Sequence, residues 1–169
     1  MFKKMRVVHA GRLLLGGLML AFSMHALAST DITRRDIDAL RGVHAMVMLE
    51  PQLDEAVRSA GVTPAIIERR AAVYLKGIGV DLLTGSTQES GDRGPTPSLL
   101  IQVAASPGAR GTNTFVTLNL VRESVDGSLP VYVTQQRGLT RHKLTRTQLM
   151  KEMDLALNLL REDLRRARY

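Results

Sequence analysis

Apolar residues return every three or four positions near the end of this chain. Leu149, Met153, Ala156, Leu157, Leu160, Leu164 and Ala167 lie on one side of a helical wheel, and Leu155 and Leu159 widen the stripe. That rhythm predicts a long helix over about 146–168. Thr145, with Gln148 three residues on, supplies a capping box at its start. The same period recurs at Ile67, Ala71, Tyr74, Leu75 and Ile78. Here Thr63 is the expected N-cap, Pro64 takes the first helical position, and Gly77 and Gly79 end the helix.

Elsewhere the period shortens to two. Val116, Leu118 and Leu120 alternate with Thr117 and Asn119, the signature of a strand with one wet face. Strands are expected at Leu99–Ala105, Thr114–Glu123 and Leu129–Gln136. The Pro- and Gly-containing run 106–113 joins the first two, and the tight-turn pair Asp126-Gly127 joins the second to the third. Val43–Leu49 is apolar on both faces and reads as an interior strand, and Val80–Leu83 as a short one. Thr33–Leu40 reads as a helical turn, with Thr33 and Asp36 as a short capping box. Pro51–Ala60 is expected to be a connection with one helical turn through Leu53, Ala56 and Val57. The run 84–98 is rich in Gly, Ser, Thr and Pro and is expected to be a mobile loop.

The resulting order is β-α-β-β-β-β-α. A right-handed crossover through the Thr63 helix would join two parallel strands, and the meander would extend their sheet. The expected fold class is α+β: a two-layer α/β sandwich, its mixed four- to five-stranded sheet covered on one face by the two main helices.

The first residues set the address. Lys3, Lys4, Arg6 and Arg12 precede an apolar core at Leu13–Phe22, and Ala26-Leu27-Ala28 fits a small-residue cleavage site. Residues 1–28 are therefore read as a cleavable signal peptide and 29–169 as one domain in the periplasm, with no transmembrane span after cleavage. No cysteine is present, which excludes disulfides, thiolate metal sites and lipidation at cysteine.

Cleavage changes the charge. The signal holds four of the 23 basic residues and none of the 16 acidic ones, so 19 basic residues face 16 acidic ones, a net +3. From Thr134 onward nine basic residues meet four acidic ones, while the rest of the mature chain has ten against 12. The excess ends in Arg161, Arg165, Arg166 and Arg168. Such a cluster favours a helix C-terminus and also fits an acidic partner or an anionic envelope surface. A spacing-four pair, Glu162–Arg166, is expected within it. Nucleic acid is not an expected partner, since the mature charge is modest and aromatic stacking residues are scarce.

One resemblance rests on structural motifs. Leu40-Arg41-Gly42-Val43, Gly61-Val62-Thr63, and Gly77-Ile78-Gly79-Val80 behind a helix ending at Leu75 resemble a pattern of small exported bacterial proteins. The layout is similar to the N-terminal domain of TolB and related envelope accessory domains. The resemblance implies an envelope setting and brings no catalytic residue.

Candidate chemistry is sparse. His44 and His142 are the histidines left after cleavage. His142 stands among Arg141, Lys143 and Arg146 with no carboxylate nearby in sequence. His44, Met46 and Met48 alternate along one strand face, a ligand set that suits Cu(I), although methionine also fills core space. The acid pairs Asp54-Glu55 and Asp36/Asp38 read as solvated charge, and Glu162-Asp163 lies among arginines. The leading expectation is a non-enzymatic periplasmic accessory or interaction protein with no cofactor, using the basic C-terminal segment. The alternatives are a ligand- or Cu(I)-binding domain and a hydrolase whose site the sequence hides. If the basic segment makes no contact, the open sheet face around Thr117, Asn119 and Gln135 is the next surface.

Overall fold

The structure is a computed structural model and describes residues 38–84, 96–124 and 127–168. In chain order the elements are β1 (Ala45–Met48), β2 (Gln52–Leu53), α1 (Glu55–Ser59), α2 (Pro64–Lys76), β3 (Asp81–Thr84), β4 (Ser98–Gly108), β5 (Gly111–Ser124), β6 (Gly127–Thr140) and α3 (Arg146–Arg166). Residues 38–40 are also helical. The expected signal peptide, Thr33 and Asp36, and nearly all of the expected loop lie outside the described residues.

The strands form one mixed sheet in the order β3-β1-β4-β5-β6, with β2 pairing β4 beyond the end of β1. β1 is parallel to β3 and β4, and β4, β5 and β6 are an antiparallel meander. α2 connects the parallel pair. This is the expected two-layer α/β sandwich, with six strands rather than four or five. The extra strand, β2, is two residues long and leaves no periodic signal.

Helix-facing side chains from both layers merge into a single core. Met46, Leu99, Ile101, Leu118 and Leu120 from the sheet meet Ile67, Leu75, Leu149, Met153, Leu157 and Leu160 from the helices, all fully buried. Leu155 and Leu159 do not join it: they are 41% and 42% exposed, so the buried stripe of α3 is narrower than its apolar stripe.

Local signals account for the helix starts. Thr145 accepts from the Gln148 N–H, and Gln148 Oε1 accepts from the Thr145 N–H, a complete capping box. Thr63 sits at the N-cap of α2, but its hydroxyl makes no capping bond, and Pro64 alone marks that start. Asp54 is not solvated charge. Its Oδ1 accepts from the Val57 N–H at 2.8 Å to cap α1, and its Oδ2 accepts from the Ala105 N–H at 2.6 Å. One carboxylate thus caps a helix and satisfies the edge of β4.

The meander strands outrun their expected lengths. β4 continues through Pro107 to Gly108, and Ala109-Arg110 is a two-residue turn. Gly108 and Gly111 flank that turn as the hydrogen-bonded pair, so Pro107 opposite Thr112 is a non-bonded pair. The missing proline N–H points away from β5, where the ladder loses nothing.

Candidate functional site

The basic segment lies where α2 and α3 end together. Arg70 of α2 donates from Nε and Nη2 to the two carboxylate oxygens of Asp154 of α3, at 2.7 and 2.6 Å. Further along, the Arg161 guanidinium of α3 lies 5.9 Å from the Tyr74 ring of α2. Further still, Gly77 and Ile78 share an open recess of about 250 Å³ with Arg165 and Arg168. Contacts thus advance in the same direction on both helices. The two are parallel, and their carbonyl ends converge.

Parallel helices bring two negative macrodipole ends to one place, each equivalent to roughly half a charge. Lys76, Arg165, Arg166 and Arg168 gather there. Glu162 is the ion partner, at 3.1 Å from Arg165 and not from Arg166 as the spacing had implied. Among the exposed side chains there, four cations, one carboxylate and about one unit of dipole charge leave an excess of about two positive charges.

Arg161 does not belong to the exposed cluster. Its guanidinium packs on Tyr74 together with that of Arg70, which lies 5.7 Å from the ring centre. Its Nε is buried, lacks a hydrogen-bond partner among the described residues, and lies 3.7 Å from Glu162 Oε1. Position on the α2-facing side of α3 explains this, and a charge count along the sequence cannot see it. The hydrogen bonds and charge of Asp154 raise the Arg70 guanidinium above its ordinary value. The guanidinium therefore stays ionised.

The second expected surface is the uncovered face of the sheet. Gln102 Nε2 donates to Gln52 Oε1 at 2.7 Å, and Asn119 Nδ2 donates to Gln102 Oε1 at 3.0 Å. Gln135 Nε2 donates to Thr117 Oγ1, and Arg137 Nε to Gln135 Oε1, at 3.2 and 3.1 Å. Arg137 also lies 5.9 Å from the Phe115 ring. These residues make two neighbouring polar chains whose amides largely satisfy one another.

The expected Cu(I) set does not converge on an open site. Met46 and Met48 are buried in the core under the helices, while His44 precedes β1 and is exposed. Strand alternation aligns the three in sequence, but β1 begins only at Ala45. His142 is exposed in the turn after β6, where its N–H donates to Thr140 Oγ1 at 3.3 Å. Among the described residues no three His, Asp or Glu side chains are grouped to hold a metal ion. None of their helices is long and apolar enough to cross a membrane. Asp163, read from sequence as one of an acid pair among arginines, is instead buried, and its Oδ2 accepts from the Tyr132 hydroxyl.

No family model and no curated protein matches the chain. Among solved structures it is similar to the PelC dodecamer from Paraburkholderia phytofirmans, with 21% identity and a TM-score of 0.43 over 73% of this chain and 86% of that one. It is also similar to lipoprotein GNA1162 from Neisseria meningitidis, with 14% identity and a TM-score of 0.36 over 70% and 98% of the two chains. A minor lipoprotein from Acinetobacter baumannii gives 12% identity and a TM-score of 0.25 over 75% and 88%. None of the three is a TolB domain, and no role is carried over from them.

Proposed function

We propose that this is a non-enzymatic accessory protein of the bacterial envelope, exported to the periplasm, that binds an anionic envelope surface or acidic partner through the shared end of α2 and α3. The observation that supports it is the excess of about two positive charges left there after dipole and Glu162 compensation. Arg165, Arg166 and Arg168 carry the contact, with Lys76 beside them. Arg161 is a packing residue in this reading.

The test reverses Arg165, Arg166 and Arg168 to Glu, all at exposed positions. Co-sedimentation with phosphatidylglycerol vesicles and capture from an envelope extract are the two readouts. Wild-type binding is expected to weaken as salt rises, because screening shortens the reach of the charges. The reversed protein is expected to lose binding and keep its melting temperature within a few degrees. If it binds both as tightly as wild type at low salt, the arginines serve only the helix ends.

A further inference from the structure

We propose that two copies of this chain pair through the outer edge of β6, joining their sheets and laying their α3 helices side by side. This goes beyond the basic end and does not depend on it. β6 is the terminal strand of the sheet, 14 residues long, and among the described residues no strand pairs its outer side. The opposite edge strand, β3, has four residues.

Hairpin parity shows which backbone groups face outward. Gly108/Gly111 is a hydrogen-bonded pair, so odd-numbered residues of β5 point their N–H and C=O at β4 and even-numbered ones at β6. The same parity aims odd residues of β4 away from β5, and the Leu99 and Val103 carbonyls accept there from Leu49 and Asp54 N–H groups. Leu120, Leu118 and Val116 pair with Tyr132, Thr134 and Gln136. The N–H and C=O of Val133, Gln135 and Arg137 therefore point outward.

Apolar side chains flank this edge on both sides. Val133 is 53% exposed on the uncovered sheet face. On the other side α3 runs antiparallel to β6, fixed by Gln136 Nε2 donating to Glu152 and Tyr132 Oη donating to Asp163. Glu152, Leu155, Leu159 and Asp163 recur at spacings of three and four, so both exposed leucines lie on the β6 side, level with Thr134.

A two-fold axis at Thr134 makes these features self-complementary. Val133 meets Gln135 of the second copy as a hydrogen-bonded pair, and no like charges are opposed along 132–136. Leu155 meets Leu159 of the second copy. The spacing also fits. Strands lie about 4.8 Å apart. α3 packs on both β5 and β6, and an axis midway between these strands would lie roughly 2.4 Å inside β6. The two α3 axes would then stand about 10 Å apart, within the usual packing range. A lone edge is commonly blunted by charge, proline or a bulge. Here Pro130 and the bulged residue Val131, skipped between the Leu120–Tyr132 and Val121–Pro130 pairs, lie at one end, and Arg137 is the charge on the stretch 132–139.

Sedimentation velocity over the micromolar range tests this. Wild type is expected to be a dimer. Gln135→Pro removes an outward N–H and leaves the β5 ladder intact, and Leu155→Lys with Leu159→Lys changes exposed positions only. Each variant is expected to raise the dissociation constant at least tenfold with little change in melting. Amide exchange at Val133, Gln135 and Arg137 should slow as wild-type concentration rises, while Thr134 and Gln136 stay constant. A monomer throughout, a higher closed ring, a dimer untouched by the double lysine change, or concentration-independent exchange at those three amides would overturn the proposal.

Discussion

The hydroxyl of Tyr132 donates to Asp163 Oδ2 at 2.6 Å, tying β6 to α3 inside the core. Both residues are nearly fully buried, at 3% and 6% exposure. Removing the donor from a buried acceptor costs about 1–3 kcal/mol, against about 1 kcal/mol for the net worth of an average hydrogen bond. Tyr132→Phe keeps the ring and deletes the donor. It is expected to cost about 1–3 kcal/mol in urea unfolding with an unchanged m-value.

Leu157 is the centre of the buried stripe of α3. Leu157→Ala is expected to cost about 2–5 kcal/mol, through lost transfer energy plus an unfilled cavity. Leu155→Ala on the exposed side is expected to stay within about 0.5 kcal/mol for the monomer. Denaturant melts of the two variants side by side check the orientation of the helix.

Gly111 holds φ at +137°, and a Cβ there would stand 2.1 Å from the Thr140 carbonyl oxygen. The dihedral alone costs about 1–3 kcal/mol for an L side chain, and backbone on the far side of the contact cannot swing away. Gly111→Ala is expected to lose at least that much stability by thermal melting.

The Arg70–Asp154 pair is bidentate but substantially exposed, at 44% and 26% of the two side chains. Solvent screening then outweighs good geometry. A double-mutant cycle through Arg70→Ala and Asp154→Ala is expected to give a coupling of about 0.2–1 kcal/mol, smaller at high salt. Arg70→Lys is expected to lose most of it, because an ammonium lacks the planar fork.

Export is expected to release a product beginning at Ser29, after the Ala26-x-Ala28 site. N-terminal sequencing of the periplasmic fraction checks this, and a full-length chain in the membrane pellet would contradict it.

The sequence by itself determined the features that depend on neighbours a few residues away. Pro64 and the Thr145–Gln148 box set the helix starts to the residue, and the 3.6 and 2.0 periods located both main helices and the meander. Alternation also identified the wetter strand face at Thr117 and Asn119. Tertiary structure decided the rest, because partners distant in sequence supplied the energy. β2 exists because β4 offers Gln52 and Leu53 a ladder. Asp54 became a clamp because Ala105, 51 residues away, presents an N–H to it. Arg161 left the basic cluster because Tyr74 of the adjacent helix lies beneath it. Leu155 and Leu159 are leucines in an apolar stripe, yet remain exposed because α3 sits above the last two strands and nothing described lies beyond β6. Periodicity specifies which side of a helix is apolar; how much of that side is covered depends on where the sheet ends.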